Sequence, residues 1–251
     1  MVLQREMAAA RLREVRLPGE LAAGDATFPV IAAEVVGRHA HAIEPVLHVR
    51  STGDDARVVV CVDGTKRVLA RRDQVVHRTS TMARHDAVLG FAVYAAARGA
   101  SEVVGVDIDQ DVIQIAKGNA RLNNVRPKFV QADIFPYLRD AANRGEQYDV
   151  VILDPAKMTR DREQVIAALK KYLDMNKLAL GVVKPGGLFA TFSCTGLVSE
   201  EQFLDMLRRA AYFSGRTIQI LKVAGAGPDH PFMAHVQESR YLKAVFCRVV
   251  D

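Results

Sequence analysis

Four side chains able to do chemistry stand where apolar runs end. Asp107 closes VVGVD, Asp133 follows FVQA, Asp154 closes DVVIL ahead of Pro155, and Cys194 closes FATFS. A carboxylate at the tip of a buried strand can accept hydrogen bonds from both hydroxyls of a ribose, which suits Asp107. A solvated loop acid would look the same, and dinucleotide enzymes use that position too. Asp133 can accept the exocyclic amine of an adenine, or cap the helix that begins at FPYLRD. Pro155 stops its strand and turns the chain away, which leaves the Asp154 carboxylate at the mouth of a site where it can hold or protonate a base ring. A lone cysteine is commonly a small buried hydrophobe. Cys194, however, is followed by Thr195 and Gly196, which open the chain, and it falls one strand over from Asp154, where a thiolate could attack a ligand. Cys61 and Cys247 lie inside apolar strands and read as core, and Asp109 reads as a helix cap.

The elements that must position these groups are regular from Gly90 onward. GFAVYAAARGA predicts a helix closed by Gly99, SEVVGVDID a strand, and QDVIQIAKGNARLNN a helix. Strand KFVQADI, helix FPYLRDAANRG, strand YDVVILDP and a long helix from about Arg162 to Val183 follow, and then a KPGG turn, strand LFATFSC and helix SEEQFLDMLRRAAYFSG. Alternation of this kind implies parallel strands joined by helical crossovers, with ligands at the carboxyl ends of the strands. TIQILKVAG and YLKAVFCRVV have only a polar loop between them and should pair as an antiparallel hairpin at one edge. The fold class is therefore α/β, a doubly wound and mostly parallel sheet.

Composition changes near residue 88. Lys66 is the only lysine before that point and nine follow it, while five of the seven histidines precede it. Upstream, VVVCVDGTKRVLA (residues 58–70) reads as a β-hairpin turned by Asp63-Gly64, Val46 to Arg50 as a short strand and Ala8 to Val15 as a helix. The chain as a whole, 49% hydrophobic and 25% charged, is that of an ordinary globular protein. No apolar run approaches the ~20 residues that cross a bilayer, and the first residues lack the apolar core of a secretory signal, so a cytoplasmic protein with no membrane partner is expected. The three cysteines supply neither a disulfide framework nor a C-x-x-C zinc site, and no metal is expected. A net charge of +5 suits a polyanionic partner. The chain is compatible with a homodimer.

VVGVDID, FVQAD, DVVILDPAK, KPGGLFATFSCTG, PDHP and ESRYLK, in that order and spacing, closely resemble the large-subunit ribosomal RNA cytosine-C5 methyltransferases over about residues 89 to 250. The resemblance implies a seven-stranded sheet of the class I methyltransferase type, preceded by a small α+β region. It divides the chain into a divergent N-terminal region, residues 1–80, and a methyltransferase domain, residues 81–251. It further implies that S-adenosyl-L-methionine is the cofactor, with Asp107 on its ribose and Asp133 on its adenine amine, and with Ile108, Ile134 and Gly90 completing the cofactor set. Asp154 would then hold the target base, Cys194 would be the nucleophile, and the Asp229-His230-Pro231 loop would shape the site. Large-subunit ribosomal RNA is the implied partner.

The sequence departs from the family at two places. Ala156-Lys157 stands where a second proline usually follows the Asp-Pro pair. The family's first strand and paired-glycine loop should occupy about residues 81 to 91, where Arg84, His85 and Asp86 would be buried and only Gly90 answers the glycine requirement. Residues before about Leu89 are therefore expected to be foreign to the fold. Two other readings are a catalytically impaired relative that binds RNA without methyl transfer, and a nicotinamide oxidoreductase. The absence of G-x-G-x-x-G before Asp107 argues against the latter.

Overall fold

A computed structural model describes residues 57–61, 89–226 and 231–251. In chain order the elements are β1 (Arg57–Cys61), α1 (Gly90–Ala97), β2 (Glu102–Asp107), α2 (Gln110–Leu122), β3 (Lys128–Gln131), α3 (Ile134–Asn143) and β4 (Tyr148–Leu153). They continue with α4 (Val165–Gly181), β5 (Val183–Ser193), α5 (Glu200–Ser214), β6 (Ile218–Ala224) and β7 (Lys243–Val249). The strands form one seven-stranded sheet in the order β3-β2-β1-β4-β5-β7-β6. β1 to β5 are parallel, and β7 runs antiparallel to both β5 and β6. This is the doubly wound sheet with a terminal hairpin at one edge that the pattern predicts.

Local chemistry accounts for the helix ends. Asp109 accepts the backbone N–H of Asp111 at 2.8 Å and caps α2, and Ser199 and Gln202 form a reciprocal capping box on α5. Gly215, at φ +66°, ends α5 in the left-handed conformation that glycine adopts without penalty. α1 is different: it starts from Leu89, at φ +52°, with no side-chain cap.

Successive β1 residues point to opposite faces, as the pleat requires. Val58 and Val60 join Ala92 of α1, Ile113 of α2, Phe192 and Phe246 on one side. Val59 and Cys61 join Leu138 of α3, Tyr172 of α4, and Phe203 and Leu207 of α5 on the other. A strand covered on both faces is a near-continuous apolar run, which VVVC is.

Three expectations about the upstream chain are corrected. The central strand is Arg57–Cys61, not a segment within residues 81 to 91. Each strand has two ladder edges, and those of β1 are occupied by β2 and β4 along its length, so no antiparallel partner from the proposed 58–70 hairpin can pair with it. The sheet thus takes its middle strand from upstream of residue 80, and Arg57–Cys61 at least are not foreign to the fold. The expected elements at residues 8–15 and 46–50, and residues 81–88, lie outside the described residues.

Candidate active site

The strand order reverses between β1 and β4, and the crevice at such a switch point lies at the carboxyl ends of the strands. Asp107, Ile108, Asp133, Ile134, Asp154 and Cys194 fall at that end of the sheet or on the helix that follows a strand there, and Gly90 opens α1. Asp107 is the last residue of β2 and is fully buried, and its carboxylate accepts the Asp109 N–H at 2.8 Å. Ile108 follows it and is exposed. Asp133 caps α3, accepting the Phe135 N–H at 2.8 Å, and Ile134 begins that helix in the core. Capping, the plainer of the two readings of Asp133, is therefore realised. Gly90 is the first residue of α1 and is buried; the positive φ at this helix entry belongs to Leu89 instead.

Asp154 directly follows β4. Its N–H donates to the Cys61 carbonyl at 3.0 Å, extending the β1–β4 ladder by one residue and fixing the strand tip before Pro155 turns away. The carboxyl is partly buried, and burial pushes its pKa up to about 6. Cys194 follows β5 and is partly exposed, whereas Cys61 and Cys247 are buried. Burial pushes both of those thiols up to about 12, which leaves neither suited to act as a thiolate. Leu153 and Thr191 are ladder partners, so Asp154 and Cys194 leave adjacent strands within two residues of the same level. Asp229 and His230 lie outside the described residues.

The residues flanking Cys194 are held from beneath. Ser193 and Thr195 are fully buried, and both bond the hydroxyl of Tyr172 on α4: Ser193 donates to it at 3.0 Å, and Thr195 lies 2.9 Å away. Thr195 Oγ1 also accepts the Met158 N–H at 3.0 Å, tying the segment after β5 to the segment after β4. From β7, the buried Lys243 donates to the Thr195 carbonyl at 2.6 Å and to that of Tyr241 at 2.9 Å. Gly196 then passes so close to the 231–240 segment that a Cβ there would sit 2.6 Å from the Glu238 carbonyl oxygen. A cavity of about 510 Å³ opens beside this turn, bordered by Gly196, Ser199, Met233, Arg240 and Lys243.

Sequence reasoning singled out none of Tyr172, Ser193 or Lys243, and gave Thr195 only the part of opening the chain after Cys194. The available signal was a lysine opening the buried run AVFC and two hydroxyls bracketing a cysteine at a strand end. Among the described residues, no group of three or more histidine, cysteine or acidic side chains could hold a metal, and no helix is long and apolar enough to cross a membrane.

The family described as "Methyltransferase domain" matches residues 87–226, more than half of the chain. The chain belongs to that family. Among curated proteins it is 40% identical over 164 residues to the ribosomal RNA large subunit methyltransferase I of Salmonella arizonae, and 38% identical over 164 residues to that of Enterobacter sp.. Each alignment takes in 64% of this chain and 41% of the relative, so the chain spans less than half the length of the relatives it matches. Among solved structures, the putative methyltransferase SMU.776 complexed with SAH gives a TM-score of 0.60 at 19% identity, over 78% of this chain and 46% of that one. NSun6 from Pyrococcus horikoshii with SFG gives 0.55 at 14% identity, over 79% and 49%. At such identities the likeness establishes the fold, which is that of the class I methyltransferases.

The donor set of this methyltransferase domain fits one half of S-adenosyl-L-methionine. A buried carboxylate on β2 lies beside the β3 strand that leads into Asp133, and the exposed Ile108 stands between them in the chain. These groups can meet a ribose and an adenine.

Proposed function

We propose that this chain is an S-adenosyl-L-methionine-dependent RNA methyltransferase that modifies C5 of a cytosine in large-subunit ribosomal RNA. The observation that carries the reading is that Cys194, the partly exposed one of three cysteines, stands beside Asp154 at the switch-point end of the sheet, on the far side of β1 from Asp107. The names of the curated relatives support the RNA substrate, and the family supports methyl transfer. In this reading the catalytic unit is residues 81–251 together with β1, and it acts in the cytoplasm.

When bound, the cofactor supplies a methyl group on a sulfonium centre. Asp107 would accept its ribose hydroxyls and Asp133 its adenine amine, with Ile108, Ile134 and Gly90 completing the set of residues that would hold it. C5 of cytosine is a weak nucleophile. The Cys194 thiolate therefore adds to C6 and pushes electron density onto C5, which makes that carbon reactive towards the methyl group. Asp154, held at the tip of β4 with its pKa raised to about 6, gives its carboxyl proton to N3 and so offsets the negative charge that develops on the ring. A base then removes the C5 proton and the thiolate is expelled. The cytosine must leave any helical stack to reach the sulfur, which favours a single-stranded or flipped nucleotide.

Trapping tests the reading. RNA carrying 5-fluorocytosine, which has no C5 proton to lose, should accumulate as a covalent complex with the wild-type chain in the presence of S-adenosyl-L-methionine, and Cys194→Ala should form none. An undiminished adduct in Cys194→Ala refutes the assigned nucleophile, and a folded wild-type chain that shows no calorimetric binding of the cofactor refutes the enzyme.

A further inference from the structure

We infer that Lys243 is a positioning residue for Cys194, holding the turn that carries the thiol and supplying the positive charge against which its thiolate forms; this rests on the function proposed above. The placement is unusual for a lysine. Lys243 opens β7, where its ladder partner on β5 is Ser193, the residue before Cys194. Its ammonium then reaches the carbonyl of Thr195, the residue after Cys194, at 2.6 Å. The backbone of this one residue is thus registered with the residue before the cysteine and its side chain bonds the residue after it, while the lysine is only 2% exposed.

Burying an ammonium costs several kcal/mol unless an anion compensates. The two acceptors of Lys243, the Thr195 and Tyr241 carbonyls, are neutral, and among the described residues it forms no ion pair with a carboxylate. Three charged or titratable groups act on it from the surrounding elements: Cys194 and Glu200 favour its charge and Lys157 opposes it. Glu200 is already paired with Arg240 at 2.8 Å. A thiolate at Cys194 is the anion this arrangement lacks. When the S–H bond breaks, the proton passes to solvent and the sulfur keeps the electron pair, as an anion whose charge favours that of the ammonium. Burial pushes the Lys243 pKa down to about 8, and the interaction with Cys194 acts the other way, favouring the ammonium.

The test is the pH dependence of Cys194 alkylation by iodoacetamide in the full chain, followed on the Cys194 peptide by mass spectrometry. The expected wild-type midpoint lies at least one unit below the value of about 8.5 for free cysteine, and Lys243→Met should raise it by about one unit or more, slowing alkylation at pH 7 about tenfold. Lys243→Arg, which keeps the charge, should recover most of the shift. A midpoint unmoved in folded Lys243→Met overturns the inference. So does a wild-type midpoint at or above that of free cysteine, which decides the matter even where Lys243→Met does not fold. The assay uses neither RNA nor cofactor. A shifted midpoint in a chain that traps no RNA would remove the proposed enzyme and leave the Lys243–Cys194 coupling, whereas normal trapping with an unshifted midpoint would remove the coupling alone.

Discussion

Tyr172→Phe isolates the network beneath Cys194. The substitution keeps the ring and its edge-to-face contact with Phe203, whose centroid is 5.5 Å away, and deletes one hydroxyl. That hydroxyl is the acceptor for Ser193 and the partner of Thr195, all three being fully buried. Thr195 keeps the Met158 N–H, but the Ser193 hydroxyl loses the acceptor for its proton. An orphaned buried donor costs about 1 to 3 kcal/mol, so a loss near 2 kcal/mol is expected in urea titration. At ~2 to 4 °C per kcal/mol for a chain of this size, the melting temperature should fall by about 4 to 8 °C. Ser193→Ala in the Tyr172→Phe background removes the orphan and should recover part of that loss, giving a non-additive cycle. Because both neighbours of the thiol loosen together, adduct formation with 5-fluorocytosine RNA should slow by about ten- to a hundredfold. A stability change below ~0.5 kcal/mol, or a cycle that adds without coupling, would mean that the hydroxyl does not hold this turn.

Asp107→Ala deletes the buried carboxylate at the end of β2 and should weaken S-adenosyl-L-methionine binding at least tenfold by calorimetry, given ~1.5 kcal/mol or more for each hydrogen bond to a charged acceptor; unchanged affinity would remove Asp107 from the cofactor site. Asp154 is held more protonated in the fold than in the unfolded chain, because its pKa rises from 3.8 to about 6. The unfolded chain therefore binds fewer protons between those values, and this group lowers stability as pH rises from about 4 to about 6. Asp154→Asn should flatten that part of the pH–stability curve and stabilise the protein at pH 8 by about 1 to 3 kcal/mol while impairing adduct formation, and equal curves for the two proteins would contradict the burial. In Gly196→Ala the new Cβ meets the Glu238 carbonyl, so the 231–240 segment must move. Protease cleavage within that segment should accelerate as trapping falls, and wild-type behaviour in both assays would show that the close approach is not required.

The residues at the strand tips were legible because each ends an apolar run. Asp107, Asp154 and Cys194 could be placed at one end of a sheet from the lengths of the runs and the intervening helices, without knowledge of any contact. The terminal hairpin was legible for a similar reason, since no helix separates its strands. Asp133 carried two readings because a strand-end acid and a helix cap share a position, and the cap bond to Phe135 is the one formed. The position of β1 was not legible. Asp63-Gly64 is a local turn signal, whereas the partners of Val58 to Cys61 are β2 and β4, dozens of residues away, and nothing local announces a parallel pairing. Lys243 escaped notice because a charged residue opening a strand is ordinarily solvated. Here the Thr195 and Tyr241 carbonyls draw it inward, an arrangement visible only once β5 and β7 are side by side.

The central strand also has a bearing on cooperativity. Among the described residues, the half-sheet β3-β2, which carries Asp107 and leads to Asp133, and the half-sheet β4-β5-β7-β6, which carries Asp154 and Cys194, share no backbone ladder except through the five residues of β1. Side-chain packing ties the halves on both faces of that strand, since one core cluster holds Val103 with Ala190 and the other Val104 with Phe189, and RVVVC contributes residues to both clusters. Amide exchange along β1 should then be among the slowest in the sheet, and a polar residue at Val59 or Val60 should destabilise both halves together.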